Sequence, residues 1–275
     1  MPEAPDLQVI KEVLTRRIVG REIVQARVVR PTVLRSLADQ EFAGDIAGRT
    51  LLSVARRGKY LLLWLTGERS LVVNPMLTGT FRLCTSSERL SKRTCIVLAF
   101  PDDLELRYVD DRQMGRVYYV SPHQLDQIPG LSELGPDVLD DAVTFDQFKA
   151  RLRPYRGEIK GVLTRGAVLA GIGNAYSDEI LFDAGLSPFR KRTSLSDDEL
   201  RRLLESARRV TEEATAVLRQ RMGEEVHHKI RDFLKVHNRG GEPCPRCGNA
   251  ISQITANQRI TSYCRRCQPG MLLRN

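Results

Sequence analysis

The chain has 275 residues, enough for two domains, or one domain with an appendage, each burying its own core. Forty-three Lys and Arg against 34 Asp and Glu leave a net charge of +9, which points to a polyanionic partner, nucleic acid ahead of membrane. No basic stretch followed by an apolar run opens the chain, and the most apolar window, Tyr60 to Leu65, is too short to span a bilayer. A soluble, intracellular protein is therefore expected, located in the cytoplasm.

The first residues read Met1, Pro2, Glu3, Ala4, Pro5, Asp6. Removal of Met1, expected before a residue as small as proline, leaves Pro2 with a free secondary amine and hence a candidate nucleophile. An α-amino group has a pKa of about 8 against about 10.4 for lysine, so roughly a tenth of it is neutral at pH 7. A secondary amine that adds to a sugar C1′ gives a charged iminium, which makes the neighbouring C–H acidic. Glu3 lies beside it as a possible acid or base. The alternative is that Met-Pro simply launches an extended segment.

Leu7, Ile10, Val13, Leu14 and Ile18 recur at helical spacing, which predicts an amphipathic helix over 6–19 ending near Gly20. Strand signals follow at 23–29, 51–55, 60–65, 71–73, 80–83, 95–100, 104–109 and 117–120, most of them separated by Gly, Asp or Pro. Short strands without intervening helices predict an antiparallel sandwich or barrel. Lys59 sits just ahead of the strand at Tyr60, either on a solvated turn or where a phosphate could be met. The loop Asp110 to Gly115 carries Arg112 and Met114, the latter by itself more often a core filler.

Near residue 121 the character changes, and a domain boundary is placed there, with 1–121 a catalytic β-sandwich, 122–135 a linker, 136–238 a helical domain and 239–275 a zinc hairpin. Helices are predicted at 144–152, 159–165, 174–184 and 196–220. The last begins with a Ser196/Glu199 capping box and a Leu195/Leu200 hydrophobic staple. Gly171, Gly173 and Asn174 precede a helix, so they make either a tight turn or a phosphate-approaching backbone; no dinucleotide fingerprint surrounds them, and no nucleotide cofactor is expected. Cys244, Cys247, Cys264 and Cys267 have the Cys-x2-Cys-x16-Cys-x2-Cys spacing of a closed, structural four-thiolate Zn2+ site. Between the two pairs, 251–255 and 260–263 are expected to pair as strands around a turn at Asn257 and Gln258, with Arg259 beside it. Arg246, Arg265 and Arg266 are expected to offset the thiolate charge. Cys84 and Cys95 read as core thiols, and His227, His228 and His237 as surface or helix residues rather than ligands.

Taken together, these stretches resemble the formamidopyrimidine-DNA glycosylase and endonuclease VIII family of base-excision repair enzymes. The resemblance covers nearly the whole chain in order: Met-Pro-Glu, Gly58-Lys59-Tyr60, Asp111-Arg112-x-x-Gly115, Leu134-Gly135-Pro136, the run from Gly171 to Glu179, and the zinc hairpin with Gln258-Arg259. It implies an α+β multidomain fold: an N-terminal antiparallel β-sandwich with an N-terminal helix, a helix-two-turns-helix domain and a C-terminal zinc hairpin, with damaged double-stranded DNA held between domains by a monomer. It implies Pro2 as the nucleophile that displaces the base and forms a Schiff base, and Glu3 as its acid/base partner. Lys59, Asn174 and Arg259 would grip phosphates, while Leu77, Arg112 and Met114 fill the gap left by a flipped nucleotide. The chain departs from the family pattern at Asp6, Asn74 and Met114. The stretch 221–241 is also short where the 8-oxoguanine-directed branch has a long loop, which leans the reading toward endonuclease VIII and oxidised pyrimidines. The expected function is thus a glycosylase and abasic-site lyase working by β,δ-elimination. The alternatives are a glycosylase directed at 8-oxoguanine and formamidopyrimidine, a silent damaged-DNA binder, and a zinc-ribbon RNA-binding factor.

Overall fold

The computed structural model describes residues 1–38, 40–256 and 259–270. The N-terminal unit comprises Met1–Ser132 together with Thr215–Ile230. Its first helix, α1 (Ala4–Ile18), starts two residues before the predicted position. Pro5 is accommodated in the first turn, where its missing N–H costs no helical hydrogen bond, and Asp6 accepts from the Glu3 N–H at 2.8 Å. The chain leaves the helix through Gly20 at φ +82°.

Among the described residues, nine strands follow in two sheets. One has the order β1 (Gln25–Val28), β7 (Thr94–Phe100), β8 (Leu104–Asp110), β6 (Gly79–Thr85). The other runs β2 (Leu34–Ser36), β9 (Arg116–Val120), β5 (Arg69–Asn74), β4 (Tyr60–Leu65), β3 (Leu51–Arg57). Side chains of both sheets, among them Leu63, Leu71, Phe81, Ile96 and Leu106, line one residual void of about 20 Å³, so the sheets face each other as a sandwich. β4 is apolar nearly throughout because both its faces are covered, one by the opposing sheet and the other by α1, which packs on β3 and β4.

The sequence reading missed β2 and the short helix α2 (Phe42–Ile46). β2 has three residues and pairs parallel to β9, so neither alternation nor a hairpin turn announces it, and the sandwich is antiparallel apart from this edge. The Asp45 carboxylate on α2 accepts from Arg49 Nη2 at 2.5 Å, Arg69 Nε at 2.8 Å and Tyr119 Oη at 2.8 Å, and Phe42 meets the Tyr119 ring edge-on at 5.1 Å. Burial opposes its charge, but these hydrogen bonds win and lower its pKa from 3.8 to about 2. A depressed carboxyl contributes stability that is present above its unfolded pKa and lost as pH falls toward the folded one. Asp45→Asn should therefore cost about 2 kcal/mol at pH 7, and the gap from wild type in urea melts should narrow at pH 3; a gap of constant width would refute this account.

The second unit comprises Glu133–Ala214 and the chain from Arg231 on. It contains α3 (Phe145–Leu152), α4 (Ile159–Leu163), α5 (Asn174–Asp183) and the first part of α6 (Asp197–Met222), whose remainder belongs to the N-terminal unit. α6 begins as its cap residues dictate: Ser196 N–H donates to Glu199 Oε2 at 2.9 Å, Glu199 N–H to Ser196 Oγ at 3.2 Å, and Leu195 and Leu200 are buried. Strands β10 (Ser252–Ala256) and β11 (Arg259–Tyr263) form the C-terminal hairpin. The expected turn residues Asn257 and Gln258 lie outside the described residues.

These units cut across a purely sequential division of the chain. Residues 122–132 pack with the N-terminal unit through buried Ile128 and Leu131 and a hydrogen bond from Tyr60 Oη to the Pro129 carbonyl at 3.1 Å. The zinc hairpin shares one core with the helical segment, made of Phe182, Val236, Cys244, Ile251 and Cys264.

Candidate active site and nucleic-acid interface

In the N-terminal unit, α1 presents Pro2 and Glu3 from its start. Pro2 lines a cavity of about 360 Å³ together with Asp6, Leu77, Thr78 and residues between Met222 and Lys229. Glu3 is 2% exposed and Asp6 4%, so two carboxylates are buried within four residues of the candidate nucleophile.

Lys59 sits in the two-residue turn between β3 and β4, where Arg57 pairs with Tyr60. Gly58 takes φ +57° there, the left-handed value that the first position of such a hairpin turn demands. Arg56 donates to the Gly58 carbonyl at 3.0 Å and to Gln8 Oε1 on α1 at 3.1 Å. The turn that bears Lys59 is thereby tied to α1.

Leu77 lies in the β5–β6 loop, and Arg112 and Met114 in the β8–β9 loop. Leu77 is 47% exposed and Met114 41%, among the few large apolar side chains left at the surface. Met114 therefore does not fill the core. The two loops are tied by a residue to which the sequence reading gave no role: the fully buried Asp110 accepts from Thr78 Oγ1, from the Arg112 N–H at 3.2 Å and from the Gly115 N–H at 2.7 Å. One carboxylate thus sets the path of both loops, as short side chains often do for neighbouring N–H groups. A Cβ at Gly115 would lie 1.7 Å from the Tyr108 hydroxyl, which excludes any side chain there.

In the second unit, Asn174 opens α5 and donates through Nδ2 to the Ile260 carbonyl at 2.8 Å. This places it beside the backbone of the residue that follows Arg259, whose own side chain is exposed. A network surrounds the contact. Lys160 Nζ donates to the same carbonyl at 2.7 Å and to Thr261 Oγ1 at 2.9 Å, and it pairs with Asp178 Oδ1 at 2.7 Å. Asp178 Oδ2 meets the Ser262 N–H at 3.1 Å and His237 Nδ1 at 2.7 Å. Glu179 accepts from the N–H groups of Lys235, Val236 and His237 at 2.8, 2.9 and 2.7 Å. Burial pushes its carboxyl above the usual range, against the pull of those three donors. Lys160 and Asp178 therefore hold the β11 strand to α5, and Glu179 and His237 hold the 235–237 segment to the same helix. The sequence reading gave this acidic pair no role, because its partners lie up to 84 residues away.

Arg259→Ala is expected to weaken binding to an abasic-analogue duplex and to flatten the slope of log affinity against log salt by about 0.9, the share of one phosphate contact. Coincident binding curves for variant and wild type across a salt series would rule this out.

The four cysteine sulfurs lie within 4.8 Å of one another, with Cys244–Cys267 at 3.8 Å and Cys247–Cys264 at 3.5 Å. Tetrahedral Zn–S bonds of about 2.3 Å put sulfurs about 3.8 Å apart, so the quartet fits one structural Zn2+, with all four positions filled by protein. Arg246 has a further role besides its nearness to the thiolates: its guanidinium lies 4.5 Å over the Phe182 ring.

The formamidopyrimidine-DNA glycosylase N-terminal domain matches residues 1–117, the H2TH domain of the same enzymes residues 134–235, and the zinc finger found in FPG and IleRS residues 241–270. The chain is 36% identical over 259 residues to the formamidopyrimidine-DNA glycosylase of Moorella thermoacetica, covering 92% of this chain and 94% of that one. It is 34% identical over 273 residues to that of Pelotomaculum thermopropionicum, covering 98% and 99%. Its backbone follows the Lactococcus lactis Fpg, solved in complex with abasic-site-containing DNA, with a TM-score of 0.89 at 26% identity over 98% of this chain and 100% of that one. The chain belongs to the formamidopyrimidine-DNA glycosylase family, whose members are DNA glycosylases with abasic-site lyase activity.

Proposed function

We propose that this enzyme excises oxidised bases from duplex DNA in the cytoplasm through a Schiff base on Pro2, and then cleaves the strand by β,δ-elimination. The observation that carries this reading is Pro2 lining a cavity of about 360 Å³ at the start of α1, with Asp6 in the same wall and Glu3 buried beside it. The Pro2 amine attacks C1′, the N-glycosidic bond breaks, and the base departs with the bonding pair and a proton. Ring opening leaves an iminium between the proline nitrogen and C1′. Loss of a C2′ proton to a base expels the 3′ phosphate, and a second elimination expels the 5′ phosphate. Glu3 is the assigned proton carrier, because a carboxylate adjoining the nucleophile can both give and take.

Lys59, on the turn tied to α1, and Asn174 with Arg259, held together by the Lys160–Asp178 network, serve as phosphate grips. Leu77, Arg112 and Met114 stand on the two loops that Asp110 joins, and exposed apolar side chains there suit insertion into a base stack.

Oxidised pyrimidines are the favoured lesions, because the short stretch 221–241 leaves no long loop to fold over a purine. A second reading, formamidopyrimidine and related purine lesions, is favoured by the names of the relatives. Borohydride treatment of the enzyme with an oligonucleotide bearing one abasic site should give a covalent adduct that maps to the N-terminal peptide at Pro2. Intact DNA binding without any adduct, in protein lacking Met1, would leave a silent damaged-DNA binder instead.

A further inference from the structure

One continuous run of hydrogen bonds crosses α1 and ends at the turn that bears Lys59. At its start Arg219, near the end of α6, grips the Glu12 carboxylate with two arms of its guanidinium, Nε to Oε2 at 2.8 Å and Nη2 to Oε1 at 2.8 Å. Glu12 Oε1 also accepts from Gln8 Nε2, one turn earlier on α1, at 3.1 Å. Gln8 Oε1 in turn accepts from Arg56 Nε at 3.1 Å, and Arg56 Nη1 donates to the Gly58 carbonyl at 3.0 Å. Gln8 stands in the middle, where an amide supplies a donor on one side and an acceptor on the other. All of these residues belong to the N-terminal unit, Arg219 with the stretch from Thr215 to Ile230.

Folding stability does not account for the run. Arg219 is exposed and Glu12 half-buried, and ion pairs in such places add little to folding. Their geometry is the specific part, since a guanidinium that meets both carboxylate oxygens fixes direction as well as distance. The same contact holds the Glu12 carboxyl below its usual range, so the grip persists at neutral pH. A second ion pair, Arg17 with Glu224, ties α1 to the chain that follows α6. At the other end of the helix the Glu3 N–H donates to Asp6 Oδ2 at 2.8 Å, which locks the first turn to the residues after it. A shift of α1 about its axis is therefore passed on to Pro2. An attacking amine must reach C1′ while the neighbouring phosphate is gripped, and a misplacement of about 1 Å can cost about a hundredfold in rate.

We infer, on the reading of Pro2 as nucleophile and Lys59 as phosphate grip, that Arg219, Glu12, Gln8 and Arg56 form a positioning relay. It sets the register between the Pro2 amine and the turn that bears Lys59. None of the four lines the cavity that Pro2 lines, so they act through α1 and the turn rather than on the substrate.

Gln8→Leu removes the middle of the relay, and Arg219→Ala removes its exposed end without opening the core. Each variant is given a duplex with one preformed abasic site under single turnover, with enzyme in saturating excess, and Schiff-base formation is read by borohydride trapping. Trapping should slow at least about tenfold in each, while affinity for an abasic-analogue duplex and the urea midpoint stay close to those of wild type. The double variant should be no slower than the slower single one, because a run broken once has already lost its function. Glu12→Gln, which can keep the shared oxygen acceptor, should retain more activity than Glu12→Ala. Unchanged trapping in Gln8→Leu and Arg219→Ala overturns the inference, as do losses that add in the double variant or that follow a loss of stability in step. A wild-type enzyme that binds the duplex and forms no Pro2 adduct overturns instead the underlying reading of the nucleophile.

Discussion

Enzyme that retains Met1 should give essentially no covalent adduct with abasic DNA, at least about a thousandfold below enzyme whose first residue is Pro2. In the Met1-bearing chain the Pro2 nitrogen is an amide, with its lone pair delocalised into the carbonyl, so it neither attacks C1′ nor forms an iminium. Met1 also lines the same cavity as Pro2 and occupies space that a base would need. Pro2→Gly tests the finer point. Its primary amine still condenses with the open sugar, but the resulting imine must be protonated to become an electron sink, whereas the proline adduct is charged from the outset. Trapping should persist, and strand cleavage should slow by roughly tenfold. The N-terminal mass, the trapped yield and the cleavage rate measured on the same samples decide both statements. Full trapping by Met1-bearing protein would move the nucleophile elsewhere.

Removing zinc, by chelation or by Cys264→Ser, should lower affinity for an abasic-analogue duplex by about a hundredfold or more while leaving most of the helix and strand signal intact. β10 is exposed or half-exposed along its whole length, so the hairpin buries little apolar surface of its own. An isolated two-stranded hairpin is marginal in water, and a structural zinc site supplies about 10–16 kcal/mol of apparent binding free energy. Without the metal, only the hydrogen bonds of Asn174, Lys160 and Asp178 hold β11, and the position of Arg259 loosens. The sandwich draws on different contacts and should keep its circular dichroism. Metal content, circular dichroism and DNA anisotropy on one preparation test this together. Unchanged affinity in a zinc-free sample would show that the hairpin does not serve binding.

Which parts of this protein could be read in advance follows from the range of the interactions involved. The start of α6 was legible because Ser196, Glu199, Leu195 and Leu200 lie within six residues and act on one another. The zinc quartet was legible because thiolate chemistry restricts both ligand type and spacing. The strands of the sandwich were legible where an apolar or alternating run stood between Gly, Asp or Pro residues. β2 escaped because three residues pairing parallel to a strand 83 positions later, Leu34 opposite Val117, leave no local pattern. Asp110 escaped because its worth lies in reaching Thr78 on another loop, and Asp178 because its partners are Lys160, His237 and Ser262.

By itself, then, the amino-acid sequence determined most of the order of elements, the metal and the polyanionic partner, since each depends on residue chemistry or on contacts a few positions apart. Tertiary structure alone decided that residues from Met222 to Lys229 share a cavity with Pro2, that one carboxylate joins the two loops carrying Leu77 and Met114, and that Asn174 and Lys160 share the Ile260 carbonyl. Each of these needs groups distant in the chain to satisfy one another's hydrogen-bonding and packing demands at once, and no local periodicity encodes such a coincidence.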